Sequence, residues 1–279
     1  MTPTFVHYIP IVTTVLSACF APIIFMRWSR RKPAPHLFWW GMGIAIYGVG
    51  TLTESFTTLF GWSEVVFRRW YISGALLGGA PLAQGTVYLI YSRETANRMT
   101  VALGAVIVTA ATVVLLSPID LSVVEPHRLT GSVLVWREAR LFSPFINSYA
   151  AIFLIGGAIA SAWRFRKDET ARHRFIGNCY IALGALLPGI GGTATRMGYT
   201  EVLYIMELIG IVLIWVGYRY NVRPGARGDC RFLKGRGQRF FPIFNHFSGS
   251  GPPRLSHGLV GVEVVAASAA WGRRGLRTP

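Results

Sequence analysis

About seven apolar stretches fill residues 1–222, and their length constrains the fold more than any other feature of the sequence. An α-helix needs about 20 consecutive apolar residues to cross the hydrocarbon core of a bilayer. The stretches of that length lie at 5–27, 37–60, 70–91, 99–117, 145–163, 175–195 and 201–220. The sequence therefore predicts an all-α polytopic membrane bundle of about seven transmembrane helices, with the lipid bilayer as a partner.

The composition agrees with this prediction and argues against other classes of protein. Hydrophobic residues make up 52% of the 279 residues and charged residues only 14%, so the chain has too few charges to cover a soluble domain. The net charge of +16 does not indicate a nucleic-acid partner, because the basic residues lie in short loops and after residue 222. Cys19, Cys179 and Cys230 lie far apart, so neither a disulfide framework nor a zinc site is expected.

The distribution of Lys and Arg predicts the orientation, because cytoplasmic loops retain positive charge. One set of alternate loops holds about eleven basic residues, and the other set holds about six. The richer set consists of Arg27, Arg30, Arg31, Lys32, Arg93, Arg98, Arg164, Arg166, Lys167, Arg172 and Arg174. With seven spans, the N-terminus is predicted to lie outside and the C-terminus in the cytoplasm, in the inner membrane of a bacterial cell.

The N-terminal stretch has no Lys or Arg before its apolar run, so it does not have the basic start of a cleaved signal peptide. We therefore expect the first helix to stay as a membrane span. An alternative is lipidation, because Leu16–Cys19 matches a bacterial lipoprotein cleavage box that would acylate Cys19.

The composition changes after residue 222, and residues 223–279 are predicted to form a separate, disordered tail. This segment is rich in Gly, Pro and Arg and carries ten basic and two acidic residues, a net charge of +8. It lacks the apolar periodicity that would bury enough surface to offset chain entropy. Two interpretations stay open: a polybasic segment that contacts anionic lipid headgroups, or an out-of-frame reading of a GC-rich gene.

Ionisable and polar residues inside predicted spans mark the candidate site, because charges in lipid are energetically costly. By helical rise, Glu54 near the end of the second span, Arg196 after the sixth and Glu207 in the seventh lie in one outer layer. Asn147 in the fifth span and Tyr204 in the seventh reach the same layer. This layer predicts an outward-facing ligand pocket with Arg196 receiving an anionic group. Alternatively, Arg196 pairs with Glu54 or Glu207 and only holds helices together, or it only extends to the membrane interface.

Gln84 lies deeper in the third span, and its amide needs a partner in hydrocarbon, so we expect it to face the bundle as a further candidate. Pro81 removes a backbone hydrogen bond and should kink this span.

No catalytic signature is present, so the protein is not expected to be an enzyme or to hold a cofactor or metal. The seventh span has no Lys for a retinal Schiff base. The sequence has no mid-membrane His pair for haem and no H-E-x-x-H helix.

Three segments carry a resemblance to a known class of protein: Trp40–Gly43, Tyr47–Glu54 and Phe67–Tyr71. With the predicted span count, they resemble the seven-helix membrane input region of some bacterial sensor histidine kinases, and also short bacterial integral membrane proteins of the same layout. The resemblance covers about residues 1–220. It implies a sensor whose output domain is supplied by a separate signalling partner, because no kinase sequence follows.

The sequence therefore predicts one of two functions. The first is a membrane sensor or ligand-binding module with a small-molecule pocket at its outer face. The second is a small-solute or proton-coupled transporter, in which Glu54, Gln84 and Glu207 would mark a path across the bundle.

Overall fold

The computed structural model describes residues 5–126 and 128–222. Within these ranges the chain is helical and forms no β-strand. The α-helices are α1 (Ile9–Arg30), α2 (Pro35–Phe60), α3 (Glu64–Trp70), α4 (Ala80–Ile90), α5 (Arg93–Leu116), α6 (Arg137–Ala150), α7 (Gly156–Phe165), α8 (Arg172–Arg196) and α9 (Thr200–Val222). The tail predicted at 223–279 lies outside the described residues. The all-α class is confirmed.

Five helices in the described part of the chain are long and apolar enough to cross a bilayer, which indicates a membrane protein. They are Phe5–Arg30, Arg93–Leu116, Arg137–Phe165, Glu169–Arg196 and Thr200–Val222. The predicted spans 37–60 and 70–91 are not among them. Helix α2 is 26 residues long, so its length alone would allow it to cross a bilayer.

The stretch predicted as one span at 70–91 is divided in the structure. Helix α3 continues into a π-helical segment, Tyr71–Leu76, and a turn then separates this segment from α4. The turn precedes Pro81, which has no N–H to continue a helical ladder, as expected for a helix-disrupting proline. Prediction of a single continuous helix was therefore wrong, because an average of hydropathy does not detect a local backbone break.

The fifth predicted span, 145–163, begins earlier in the structure. Helix α6 starts at Arg137 and continues through the π-helical segment Ala151–Ile155 into α7. The residues before 145 form an amphipathic helix that includes charged side chains, which an apolar-length criterion excludes. The connection expected from Pro118 to Pro144 is consequently shorter than the sequence predicted.

The segment of residues 117–136, here called the 117–136 segment, lies at one end of the bundle, which we call the loop end. Arg68 in the last turn of α3 donates to the carbonyl of Ser117, at 3.0 Å. The hydroxyl of Thr58 near the end of α2 donates to the carbonyl of His7, at 3.0 Å. The start of the chain, the end of α2 and the 117–136 segment therefore meet at the loop end.

Two clusters of buried apolar side chains hold the helices together. The first joins α1, α2, α4 and α9 through Phe20, Ile44, Leu82 and Ile211, among others. The second surrounds Phe67 and lies nearer the loop end. It consists of Phe67, Trp70, Tyr71, Leu76, Ala80, Ala110, Val114, Leu129, Val133, Leu134, Ala139 and Ile146. Because Leu129, Val133 and Leu134 belong to the 117–136 segment, that segment is packed against the bundle.

Helices α8 and α9 are joined by a tight turn, as the sequence predicted. Gly198 adopts a φ of 103°, a left-handed conformation that glycine reaches at little cost. Thr200 begins α9 directly afterwards. The short connection makes the two helices antiparallel neighbours, so the start of α9 and the end of α8 both lie at the loop end.

Candidate functional site

Two glutamates from different helices meet inside the bundle. Glu54 of α2 is 3% exposed, and its Oε1 accepts a hydrogen bond of 2.9 Å from the indole nitrogen of Trp70. Its side chain is also within hydrogen-bonding distance of the carboxyl group of Glu207 in α9. We call Glu54 and Glu207 the carboxyl pair.

The depth of the carboxyl pair follows from helix geometry. Glu54 lies six residues before the end of α2, and Glu207 lies seven residues after the start of α9. At 1.5 Å per residue, both lie about 10 Å inside the loop end. Glu54 and Glu207 thus lie at the same level of the bundle, and the sequence did not predict that they meet. Their role in binding a ligand stays a prediction.

Aromatic groups surround the carboxyl pair. The hydroxyl of Tyr47 donates to the backbone carbonyl of Glu207, at 3.0 Å, and so joins α2 to α9. Tyr204 is 2% exposed and packs edge-on against His7, with 6.0 Å between ring centroids. These contacts place Tyr204 beside the carboxyl pair, as predicted, and close the pair off from the loop end.

The carboxyl pair has an unusual hydrogen-bond balance. One oxygen of each group, the Oε2 atom, is buried and has no donor within reach. Within residues 5–126 and 128–222, no Lys or Arg forms an ion pair with either carboxylate. The structure therefore places two acidic side chains in contact, with one unsatisfied oxygen on each.

Arg196 lies in a different place, a polar surface cleft at the loop end that we call the Arg196 cleft. The cleft has a volume of ≈ 600 Å³ and lies between the 117–136 segment and the end of α8. Its lining consists of Ser122, Val123, Val124, Glu125, Arg128, Thr130, Ser132, Thr195, Arg196, Met197 and Gly198. The alternative in which Arg196 pairs with Glu54 or Glu207 is therefore wrong: within the described ranges, no carboxylate lies within 4.0 Å of it.

Arg128 shapes the Arg196 cleft. It donates to the hydroxyl of Thr200 at 3.0 Å, to the carboxylate of Glu125 at 2.9 Å and to the carbonyl of Thr195 at 3.4 Å. These bonds tie the 117–136 segment to the connection between α8 and α9. Arg128 is thus held in place by hydrogen bonds, and its charge is paired with Glu125. Arg196, in contrast, is exposed.

Gln84 lies in a third place and is completely buried. Its amide nitrogen donates to the carbonyl of Ala96 at 3.1 Å and to the hydroxyl of Thr100 at 2.7 Å. Its carbonyl oxygen accepts a hydrogen bond from the hydroxyl of Tyr149. Gln84 thus faces the bundle, as predicted, and connects α4 with α5 and α6.

Asn147 also has a structural role. Its amide nitrogen donates to the backbone carbonyl of Ala75 at 3.0 Å, and the hydroxyl of Ser143 donates to the same carbonyl at 2.8 Å. The break after Leu76 removes the helical partner of this carbonyl, since Gly79 lies outside the π-helical segment. Asn147 therefore compensates the break instead of joining the carboxyl pair.

The sequence missed the partners of the carboxyl pair. Trp70, Tyr47 and His7 had no role in the predicted site. Trp70 lies 16 residues after Glu54 in a separate helix, and no spacing rule connects them. The predicted outer layer is in fact divided: Glu54, Glu207 and Tyr204 lie together, Arg196 lines a separate cleft, and Asn147 bonds to the carbonyl of Ala75.

Comparisons with known proteins do not add a family or a neighbour. The chain matches no protein-family model, and no curated protein or solved structure is significantly similar to it. The site must therefore be interpreted from its own geometry. Within the described ranges, no group of three or more His, Cys, Asp or Glu side chains is arranged to hold a metal ion.

Proposed function

We propose that this protein is a membrane-embedded sensor or ligand-binding module whose Arg196 cleft binds a small anion. The observation that carries the proposal is the guanidinium of Arg196, which lines a polar cleft and has no carboxylate partner in the described part of the chain. A guanidinium group presents several N–H donors in a plane and binds carboxylate or phosphate with paired hydrogen bonds.

The rest of the lining supports an anionic ligand. Two guanidinium groups and one carboxylate give the cleft a net charge of +1, and the carboxylate of Glu125 is already paired with Arg128. The hydroxyl groups of Thr130 and Ser132 share one hydrogen bond, which leaves one hydroxyl donor for a ligand. This is the chemistry of a site for a small oxyanion that reaches the protein from the aqueous side.

The proposal includes a membrane topology. We propose seven crossings, with α2 and the α3–α4 region as the two that are less apolar, in the inner membrane of a bacterial cell. The loop end faces outside, and the opposite end, which carries the basic residues from Arg27 to Lys32 and from Arg164 to Arg174, faces the cytoplasm. A signalling partner would contact that basic end, as the resemblance to sensor-kinase input regions implies.

Cysteine accessibility tests this topology. In a variant without native cysteines, Arg30→Cys and Arg166→Cys should react with a membrane-impermeant thiol reagent only after the membrane is opened. Ser122→Cys should react in intact cells. The opposite pattern would overturn both the orientation and the outward-facing cleft.

Ligand-dependent thermal stability tests the binding function. A ligand that binds only the folded state raises stability in proportion to the logarithm of its concentration above Kd. Inorganic phosphate and succinate, tested separately, distinguish a phosphate site from a carboxylate site. We expect one of them to raise the Tm of the wild type and of the control Arg137→Gln, but not that of Arg196→Gln. Arg137 is exposed and is not part of the cleft lining.

Two results would refute the anion site: no Tm shift with either anion, or an equal shift in Arg196→Gln. An uncharged solute of similar size provides the control for nonspecific stabilisation.

A transporter is the second candidate, and the contact between Glu54 and Glu207 favours it. Gln84 does not lie on the expected path, because its amide already has partners on α5 and α6. Solute-driven proton flux into proteoliposomes should be lost in Glu207→Gln if the protein is a proton-coupled transporter. Equal flux in the wild type and this variant would contradict transport through the carboxyl pair.

A further inference from the structure

The carboxyl pair contains two buried acceptors that the protein does not satisfy. Glu54 Oε1 accepts the indole N–H of Trp70, but the Oε2 atoms of Glu54 and Glu207 have no donor within reach. Most buried polar atoms in proteins are hydrogen-bonded, so two unsatisfied oxygens in adjacent side chains require a physical account.

A carboxylate can only accept hydrogen bonds, whereas a protonated carboxyl group can also donate one. The two side chains are within hydrogen-bonding distance of each other, yet no bond can form between them if both are ionised. A single proton on either group supplies the missing donor. It also removes one of two like charges in a site where no Lys or Arg of residues 5–126 and 128–222 forms an ion pair.

The groups around the pair provide no compensating positive charge in direct contact. Tyr47 lies on α2, Tyr204 and Glu201 lie on α9, and all three are neutral or acidic. His7 from the start of the chain lies 3.9 Å from the exposed carboxylate of Glu201. Arg128 acts on Tyr204 from the loop end but is paired with Glu125.

Charged groups also approach from the α3 side. Trp70 donates a neutral N–H to Glu54, and the neighbouring Tyr71 lies within the electrostatic influence of Arg140 and Arg196. Neither arginine forms an ion pair with the carboxyl pair in the described part of the chain. In the part of the chain that the structure describes, the side-chain donor to the carboxyl pair outside the pair itself is thus the neutral indole N–H of Trp70.

We propose that Glu54 and Glu207 form a proton-binding site, in which the two carboxyl groups share one proton at neutral pH. In the occupied state, one carboxylic acid donates to the other carboxylate, and Trp70 donates to Glu54. Release transfers the proton to water or a buffer base and leaves two carboxylates in contact. Their repulsion would separate α2 from α9 at this level, so proton occupancy is linked to helix packing.

This inference does not depend on the Arg196 cleft, and a different measurement tests it. Infrared absorption of the full-length protein detects the C=O stretch of a protonated carboxyl group at neutral pH. We expect this band in the wild type, with a shift in heavy water, and its loss in the double variant Glu54→Gln/Glu207→Gln. Glu94→Gln removes an exposed carboxylate paired with Arg98 and should leave the band unchanged. Absence of the band from the wild type, or its persistence in the double variant, would overturn the proposal.

The single variants provide a second measurement that does not require the double variant to fold. Glutamine has the shape of a protonated glutamate and donates permanently, so Glu54→Gln and Glu207→Gln each mimic the proton-occupied state. We expect both to keep the wild-type Tm at neutral pH. At alkaline pH the wild type should lose Tm while Glu207→Gln does not. Equal pH dependence of Tm in the wild type and both single variants would refute a shared proton.

Discussion

Replacement of Gly184 by alanine tests the helix packing that positions α9, and with it Glu207. A Cβ atom added at Gly184 would lie 2.7 Å from the carbonyl oxygen of Gly210 and 3.0 Å from the backbone nitrogen of Ile214. Both contacts are to backbone atoms of α9, which cannot rotate away as a flexible side chain can. The two helices would have to separate by several tenths of an ångström.

The expected magnitude follows from two opposing effects. Overpacking in a well-packed contact costs about 1–3 kcal/mol, while alanine is favoured over glycine in a helix by about 1 kcal/mol. Gly184→Ala should therefore lower the free energy of unfolding by about 0–2 kcal/mol. Gly192→Ala is a matched control in the same helix, because a Cβ atom there has no atom within 4 Å.

The difference in the free energy of unfolding between Gly184→Ala and Gly192→Ala isolates the cost of overpacking. The gain in helix propensity is common to both, so their free energies of unfolding should differ by the overpacking cost, about 1–3 kcal/mol. Unfolding by SDS in mixed micelles, followed by helical circular dichroism, measures the difference. Equal midpoints for Gly184→Ala and Gly192→Ala would refute the close approach of α8 to α9. Gly210→Ala should behave like Gly184→Ala, and the double variant should be non-additive.

Three other substitutions test the remaining elements. Gln84→Leu should lower the free energy of unfolding by about 1–3 kcal/mol, because it removes the bonds that connect α4 with α5 and α6. Asn147→Ala alone should have a small effect, whereas Ser143→Ala/Asn147→Ala should cost about 1–3 kcal/mol by leaving a buried carbonyl without a donor. The hydrogen bonds that Ser122 donates lower the pKa of Asp120 below its usual value. The stabilisation that ionised Asp120 gives to this turn is therefore complete at a pH above the usual pKa of an aspartate. It is lost as the pH falls through the lowered pKa. In the wild type, the protection factor of the Ser122 amide, which compares its exchange rate with the intrinsic rate of an unstructured peptide at the same pH, should fall as Asp120 becomes protonated, and Asp120→Asn should flatten this dependence.

For each of these three predictions, one experimental result would contradict the reasoning. For Gln84, Thr112→Val is the control, because the Thr112 hydroxyl bonds only within its own helix; equal SDS midpoints would contradict the network. For Ala75, strictly additive effects of the two alanine substitutions would show that its carbonyl does not depend on both donors. For Asp120, a protection factor at the Ser122 amide that does not change with pH in the wild type would show that the side chain does not order the turn.

Much of the helical architecture could be predicted because the signals are local. Apolar length alone identified α1, α5, α8 and α9 as long helices, and Gly198 with its neighbours identified the turn between the last two. Helical rise placed Glu54 and Glu207 at one level, since distance along a helix depends only on residue count. Pro81 also indicated a disruption of the third predicted span, but it did not indicate how many residues the break involves.

The contacts of the candidate site could not be predicted from residue spacing. The proximity of Glu54 to Glu207, the bond from Trp70 and the separation of Arg196 from both glutamates depend on the rotation of each helix about its axis. That rotation is set by packing between residues far apart in the chain, such as the glycine contacts of α8 with α9 and the apolar cluster around Phe67. The sequence by itself determined which segments are helical and how deep their polar groups lie. Only the tertiary structure decided which of those groups meet, because side-chain packing, unlike helical rise, is not a property of any single segment.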